Sequence, residues 1–141
     1  MTNSMFQQAC DEIHRVHDLI FKTFTVSGAE GQSALSELLT HFTPEFSMTG
    51  ISGAVIDLAA VTEMFTRIQG KRQGAPIETA EYQCISLTEN TISVRYQETQ
   101  HFAGITTSRR SLVILRRGDN NNWLWHYLHE TPLSAENTTD K

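Results

Sequence analysis

The chain lacks most of the features that mark a common class of function. Its two cysteines, Cys10 and Cys84, have no CxxC spacing and no neighbouring histidine cluster. We therefore expect reduced thiols that pack as small hydrophobic side chains, although a disulfide between them remains geometrically open. No run approaches the roughly 18–20 apolar residues that a membrane-spanning helix needs. The first residues also lack the basic start and apolar core of a secretion signal, which favours the cytoplasm.

A basic surface is missing as well. The chain has 11 Lys and Arg against 16 Asp and Glu, for a net charge of −5, and its basic residues form only isolated doublets. Nucleic acid is therefore not an expected partner. There is no GxSxG sequence and no glycine-rich loop between a strand and a helix, so a serine-hydrolase elbow and a phosphate cradle are not indicated. His14, His41 and His101 have no spacing with carboxylates typical of a metal site, and we expect no metal or other cofactor.

What is present is the composition of one globular domain. The 141 residues are 39% apolar and 19% charged, enough to bury a single hydrophobic core. We assign residues 1–133 to this domain. The segment 134–141, SAENTTDK, is mostly polar and is expected to be a disordered tail.

Helical periodicity dominates the first part of the chain. Apolar side chains recur at three- and four-residue steps on one face of a first predicted helix. This stripe consists of Phe6, Cys10, Ile13, His17, Ile20 and Phe24. A second helix is predicted to begin at the capping box Ser27-Gly-Ala-Glu30 and to carry Phe42 on its apolar face before Thr43-Pro44 ends it.

A period of two then replaces the helical period. The sequence predicts a short hairpin between Phe46 and Ile56, and a third helix that Asp57 caps and Gly70 follows. A flexible connector, 71–76, leads into four predicted strands: Glu78–Leu87, Thr91–Phe102, Ser108–Arg117 and Trp123–Thr131. Their short links favour an antiparallel meander. The predicted class is α+β, a cone-like curved antiparallel sheet with three helices from the N-terminal half on its concave face, enclosing a cavity.

The segment ETQHFAGITTSRRSLVILRRGDNNNWLWHYLHETP, residues 98–132, carries a family resemblance. It combines an arginine-containing strand, a turn with Asp, a tryptophan and a His-x-Thr ending: Arg110, Arg116, Asp119, Trp123, His129 and Thr131. With the element order from Met5 to Leu133, it resembles the nuclear-transport-factor-2-like superfamily, in its SnoaL-like and kinase-association-domain branches. That superfamily includes isomerases, cyclases, dehydratases, hydrolases and non-enzymatic dimerisation modules, so the resemblance implies a fold and leaves function open.

The resemblance also implies which face of the last strand lines the cavity. It places the even-numbered residues inside: Leu124, His126, Leu128 and Glu130. The other face, with Trp123, Trp125 and Tyr127, is then available for assembly, and we expect a homodimer through it. In the kinase-association domain a cavity arginine falls at the position of Glu130. This is a charge reversal, so a preference for anions at that position does not transfer.

The two preceding strands supply further candidate residues. On Ser108–Arg117 we place Arg110 inward, where it could meet Glu130. On Thr91–Phe102 the apolar face of Ile92, Val94 and Tyr96 carries Glu98 and Gln100 inward. A slip of one residue would bring Arg95, Gln97 and Thr99 inward instead.

Two functional hypotheses follow. In the first, Glu98 or Glu130 is a general base and His126 a proton shuttle in cofactor-free isomerisation, cyclisation or hydrolysis of a hydrophobic substrate. The candidate substrate contacts are His17, Tyr96, Gln100, Arg110 and Leu128. In the second, the protein is a non-enzymatic dimer whose cavity binds a ligand or is vestigial. Arg110 and the two glutamates then form a satisfied ion-pair network, and His17 and His126 have structural roles.

Overall fold

A computed structural model describes residues 2–72 and 76–133 of the chain. In this part of the chain the helices are α1 (Thr2–Thr25), α2 (Gly28–Leu39) and α3 (Leu58–Ile68), and the strands are β1 (Phe42–Thr49), β2 (Val55–Asp57), β3 (Ile77–Leu87), β4 (Thr91–Phe102), β5 (Ile105–Arg117) and β6 (Trp123–Leu133). None of these helices has the length and apolar composition needed to cross a bilayer. The predicted tail 134–141 and positions 73–75 of the predicted connector lie outside the described residues.

The six strands form one curved sheet in the order β2-β1-β6-β5-β4-β3, with the helices packed on it, so the α+β class is confirmed. Strands β3 to β6 make the predicted antiparallel meander. The sheet is nevertheless mixed and not purely antiparallel, because β1 pairs parallel with β6. No turn joins these two strands, and pairing between segments so distant in the sequence leaves no local signal.

The second helix is shorter than predicted. It ends at Leu39 with Thr40 as its C-cap, whereas Phe42 begins β1. The backbone leaves the helix because the His41 carbonyl accepts a hydrogen bond from the Trp125 amide at 2.7 Å, which joins this segment to the sheet. Phe42 is buried there, and its apolar character alone fits both assignments.

Helices α2 and α3 differ at their N-termini. The Asp57 side chain accepts a hydrogen bond from the Ala60 amide at 3.0 Å, which confirms the predicted cap. Ser27 precedes α2 but makes no side-chain capping bond, so the predicted capping box is wrong. Its Cβ instead lies against Gly70, whose φ of +69° suits glycine.

This contrast gives a matched pair of variants. We expect Asp57→Ala to lower the free energy of unfolding by about 1 kcal/mol, because an orphan amide of α3 loses its acceptor. Ser27→Ala should change it by less than about 0.5 kcal/mol, because no capping bond is lost. Urea denaturation of both variants measures the difference. Equal losses would mean that the Asp57 hydrogen bond contributes nothing.

A β-bulge at His126 changes the face of β6. Leu115 pairs with Trp125, whereas the preceding Ile114 pairs with Tyr127, so His126 is an extra residue between two pairs. His126 points away from the cavity and hydrogen-bonds Thr43 at 2.9 Å. The sequence-based placement of His126 inside the cavity is therefore wrong, because strict alternation does not continue through a bulge.

The predicted assembly face on β6 also differs from the structure. Trp123 and Trp125 are buried in the core, at 4% and 2% exposure, and are not available for assembly. Leu124, predicted to lie inside, is half-buried on the opposite face. Beyond the bulge, Leu128 and Glu130 line the cavity. The homodimer stays a prediction, and the convex face retains only Tyr127 of the three aromatic residues assigned to it.

The inward and outward faces of strand β5 are the reverse of the predicted ones. Ser111, Val113 and Leu115 are buried on the concave face, which brings Arg109 inward. Arg110 therefore points outward, where it donates a hydrogen bond to Gln97 at 3.1 Å. The prediction that Arg110 contacts Glu130 is wrong, because Arg109 makes that contact.

Candidate functional site

A cavity of about 540 Å³ lies between the concave face of the sheet and helices α1 and α3. Its walls are mostly apolar, with side chains such as Phe46, Phe65 and Trp125. The exposed residues Ile51 and Ser52 of the β1–β2 turn also line it, so the cavity reaches the surface at that end. The volume falls within the range of about 300–1,000 Å³ that is typical of small-molecule sites.

Polar side chains from four elements meet on one wall of this cavity. They are His17 from α1, Glu98 and Gln100 from β4, Arg109 from β5 and Glu130 from β6. Sheet register explains their proximity. Glu98 is directly opposite Arg109, and Glu130 is opposite Ser111, two residues along β5, so both carboxylates flank Arg109 on the concave face.

His17 and Glu98 form a buried ion pair. His17 Nε2 lies 3.1 Å from Glu98 Oε1, and each side chain is only 5% exposed. His17 Nδ1 lies 2.8 Å from the Ile13 carbonyl oxygen, which only accepts, so both ring nitrogens have acceptors. Burial lowers the pKa of His17, but attraction to Glu98 and the hydrogen bonds outweigh it, so its pKa is raised.

Glu98 is held as a carboxylate by the same arrangement. Burial raises its pKa, but the charge and hydrogen bond of His17, with a 2.6 Å hydrogen bond from Gln100 Nε2, lower it to about 2. A carboxylate with so low a pKa is a weak base near neutral pH. Of the two glutamates predicted as bases, Glu130 is therefore the better suited.

Glu130 has the opposite electrostatic environment. Its side chain is 8% exposed, and its nearest cation is the Arg109 guanidinium, 3.5 Å from Oε1. Burial and the negative charge of Glu98 raise its pKa to about 7, although Arg109 and His17 act in the other direction. Near neutral pH this carboxyl group therefore exists in both protonation states, which suits proton transfer.

Two of the other predicted site residues lie apart from this cluster. Tyr96 is on the concave face, but its ring packs edge-on against His17 at 5.5 Å between centroids and does not line the cavity. Its hydroxyl is buried without a hydrogen-bond partner among the described residues. His126 lies on the outer side, where Arg116 donates to its Nε2 at 2.9 Å.

Arg109 and the partner of His17 are the two features of the site that the sequence does not predict. The doublet Arg109-Arg110 marks the correct position on β5, but alternation does not decide between its members. His17 is a polar residue on an apolar helical stripe, and this position in the sequence indicates that its side chain has a buried partner. Its pairing with Glu98, 81 residues away, has no local signal.

Among the residues that the structure describes, the site contains neither a metal-binding cluster nor a thiol. Within residues 2–72 and 76–133, no three His, Cys, Asp or Glu side chains are close enough to share a metal ion. Cys10 and Cys84 are free and half-buried. Neither thiol contributes to the wall of the cavity.

Comparisons with solved structures identify similar proteins. An NTF2-like protein of unknown function from Pseudomonas aeruginosa is 30% identical over 90% of this chain and 99% of that chain, with a TM-score of 0.83. A putative Ca/calmodulin-dependent kinase II association domain from Exiguobacterium sibiricum is 17% identical over 78% of this chain and 98% of that chain, with a TM-score of 0.58. A ketosteroid isomerase-like protein from Erwinia carotovora atroseptica is 12% identical over 73% of this chain and 84% of that chain, with a TM-score of 0.54. No protein-family model and no curated protein matches the sequence.

Proposed function

Since the chain belongs to the NTF2-like family, whose fold hosts unrelated functions, we propose from its cavity that it acts on an apolar carbonyl compound by cofactor-free acid–base catalysis. The observation that carries this proposal is Glu130, a carboxyl group on the polar wall of a mostly apolar cavity. It lies beside Arg109 and near the charge of Glu98. A ketosteroid isomerase-like protein among the structural neighbours is consistent with this chemistry.

The proposed reaction is a proton shift next to a carbonyl group. The Glu130 carboxylate removes a proton from the carbon beside the carbonyl. The electron pair of that C–H bond forms a C=C bond, and the carbonyl π electrons move to oxygen to give an enolate. Where a C=C bond lies next to that carbon, the enolate is conjugated with it, and the Glu130 carboxyl group returns the proton to the far carbon of that bond, which moves the double bond and restores the carbonyl and the carboxylate.

Arg109 is the group suited to stabilise the enolate. Its guanidinium lines the cavity, is 3.5 Å from Glu130, and has a buried Nε–H without an acceptor among the described residues. A fixed cationic donor is most effective where negative charge develops in a site of low dielectric constant. Arg109 would therefore bind the oxygen while Glu130 moves the proton.

The ion pair of His17 and Glu98 has a positioning role in this scheme. Glu98 remains ionised, and its negative charge raises the pKa of Glu130 towards neutrality. The charge and hydrogen bond of His17 oppose the effect of burial on Glu98 and keep it ionised. The pair thus keeps a charge near the base without competing for the proton.

Deuterium exchange tests the proposal whatever the final product of the reaction is. The protein is incubated in D₂O with neutral apolar ketones that raise its melting temperature, and deuterium at the carbon beside the carbonyl is measured by mass spectrometry. We expect exchange to increase as the pH rises through about 7 and to level off at higher pH, where Glu130 is fully ionised. Glu130→Gln should reduce it by about 10²–10⁴-fold.

Glu45→Gln is the matched control, because Glu45 is exposed and does not line the cavity. Its exchange rate should equal that of the unmodified chain. Exchange that survives in Glu130→Gln would contradict the assigned base. Ketones that bind without any exchange would favour the alternative, a non-enzymatic ligand-binding module, in which the Arg109 contact holds Glu130 in a structural ion pair.

A further inference from the structure

Arg72 has an unusual environment at the edge of the cavity. Its guanidinium carbon is 5.2 Å from the centroid of the Phe24 ring and 5.1 Å from that of Phe102. The Arg72 amide also donates to the Phe24 carbonyl at 2.9 Å, which fixes the backbone beneath the side chain. The planar cation is therefore held by aromatic side chains before any ligand arrives.

Stacking leaves the donors of this guanidinium free. Aromatic rings contact the faces of the plane, whereas its N–H groups point outward in the plane. Among the described residues, no carboxylate lies within 4.0 Å of the Arg72 guanidinium, and its side chain makes no hydrogen bond. Every other arginine in this part of the chain has a polar partner: Arg15, Arg67, Arg95, Arg109, Arg110, Arg116 and Arg117.

Arg72 also lines the same cavity as Glu130. Arg67, near the end of α3, also lines this cavity, and its side chain is 65% exposed. Most of the other side chains that line the cavity are apolar. A ligand that contacts Arg72 and the polar wall together would carry an anion and a second polar group on an apolar body.

We propose that Arg72 is an anion-binding group and that the substrate class is apolar oxo acids, with the carboxylate on Arg72 and the carbonyl group at Arg109 and Glu130. The carbonyl half of this assignment rests on the function proposed above. A carboxylate matches the fork of the guanidinium and can accept two parallel N–H bonds from it. The neutral analogue of such an acid would leave these donors without a charged acceptor.

Binding of a simple acid and its amide tests the anion site directly. Isothermal titration calorimetry at pH 8 measures the affinity for octanoate and for octanamide, which have the same apolar chain. We expect the intact chain to bind octanoate about tenfold to a hundredfold more tightly, as a charge-assisted bidentate contact implies. Arg72→Gln should bring the two affinities within about twofold of each other, chiefly by weakening octanoate.

Arg67→Gln is the matched control, because Arg67 also lines the cavity but lies 3.6 Å from Glu63. It should keep the preference for octanoate. Equal binding of acid and amide, a preference that survives in Arg72→Gln, or no binding of either probe would overturn the anion site. Deuterium exchange with neutral ketones tests Glu130 separately. Failure of the anion site is therefore distinguishable from failure of the proposed acid–base function.

Discussion

Replacing His17 with leucine is expected to lower the free energy of unfolding by about 3–5 kcal/mol at pH 6, the usual cost of leaving one member of a buried ion pair without its partner. Both side chains of the pair with Glu98 are only 5% exposed, so the variant leaves Glu98 as a buried charge without its partner. The remaining bond from Gln100 reaches only the other carboxylate oxygen, Oε2. Urea denaturation, with the transition followed by tryptophan fluorescence, measures the loss.

His14→Leu is the matched control, because His14 is on the same helix with a side chain that is 69% exposed. It should change stability by less than about 0.5 kcal/mol. The double variant His17→Leu/Glu98→Leu should recover much of the loss, since apolar replacement of a whole buried pair is often neutral. A His17→Leu variant as stable as His14→Leu would mean that the pair contributes nothing.

The pH dependence of the loss follows from the two pKa values. The pKa of Glu98 is lowered in the folded state, so its contribution is complete above 4.5 and disappears as the pH falls towards 2. The pKa of His17 is raised, so its contribution is complete below 6.5 and disappears as the pH rises through the folded-state value. The difference between His17→Leu and the unmodified chain should therefore be largest between about pH 4.5 and 6.5.

Strand β4 shows where sequence reasoning succeeds. Ile92, Val94 and Tyr96 alternate with Ser93 and Arg95, so only one face is apolar, and that face is buried. The continuation of the same face predicts that Glu98 and Gln100 lie at the cavity, where the structure has them. Clear alternation determines orientation because a strand presents successive side chains to opposite faces.

Strand β5 shows why the same reasoning fails one strand away. The segment Leu112–Leu115 is apolar at every position, so either set of alternate residues could face the core. Only the pairing with β4 decides, and it places Val113 opposite Val94 and Arg109 opposite Glu98. Pairing is a tertiary property, which is why the sequence alone does not distinguish Arg109 from Arg110 and the prediction of Arg110 is wrong.

Strand β6 fails for a different reason. Its sequence has apolar side chains on both faces, and the bulge at His126 reverses the facing of the residues halfway along the strand. A bulge needs no special residue on the strand that contains it, so the sequence WLWHYLHETPL gives no warning. Trp125 and Glu130 consequently line the same cavity, although strict alternation assigns them to opposite faces.

Glu130→Gln is expected to stabilise the fold by about 3 kcal/mol at pH 8 and by less than about 1 kcal/mol at pH 5. Burial and the charge of Glu98 raise the folded-state pKa of Glu130 from 4.5 to about 7. A carboxyl group with a raised pKa binds its proton more tightly when folded, so stability falls as the pH rises from 4.5 through 7. At about 1.4 kcal/mol for each pKa unit, the full loss is roughly 3 kcal/mol.

Glutamine removes this loss because it resembles the protonated carboxyl group at every pH. The measurement is urea denaturation of Glu130→Gln, Glu45→Gln and the unmodified chain at pH 5 and pH 8. Glu45 is exposed, so its variant should follow the unmodified chain at both values. A Glu130→Gln variant that is less stable than the unmodified chain at pH 8 would contradict the raised pKa and favour a stabilising ion pair with Arg109.

The same substitution links stability to function. A carboxylate kept only for structure should cost stability when it is replaced, whereas a carboxylate kept for proton transfer is retained at a cost to the fold. If Glu130→Gln gains stability at pH 8 and loses deuterium exchange, the destabilising charge is the group that moves the proton. If it gains stability with exchange unchanged, Glu130 is not the base, and the reaction must use another group on the same wall.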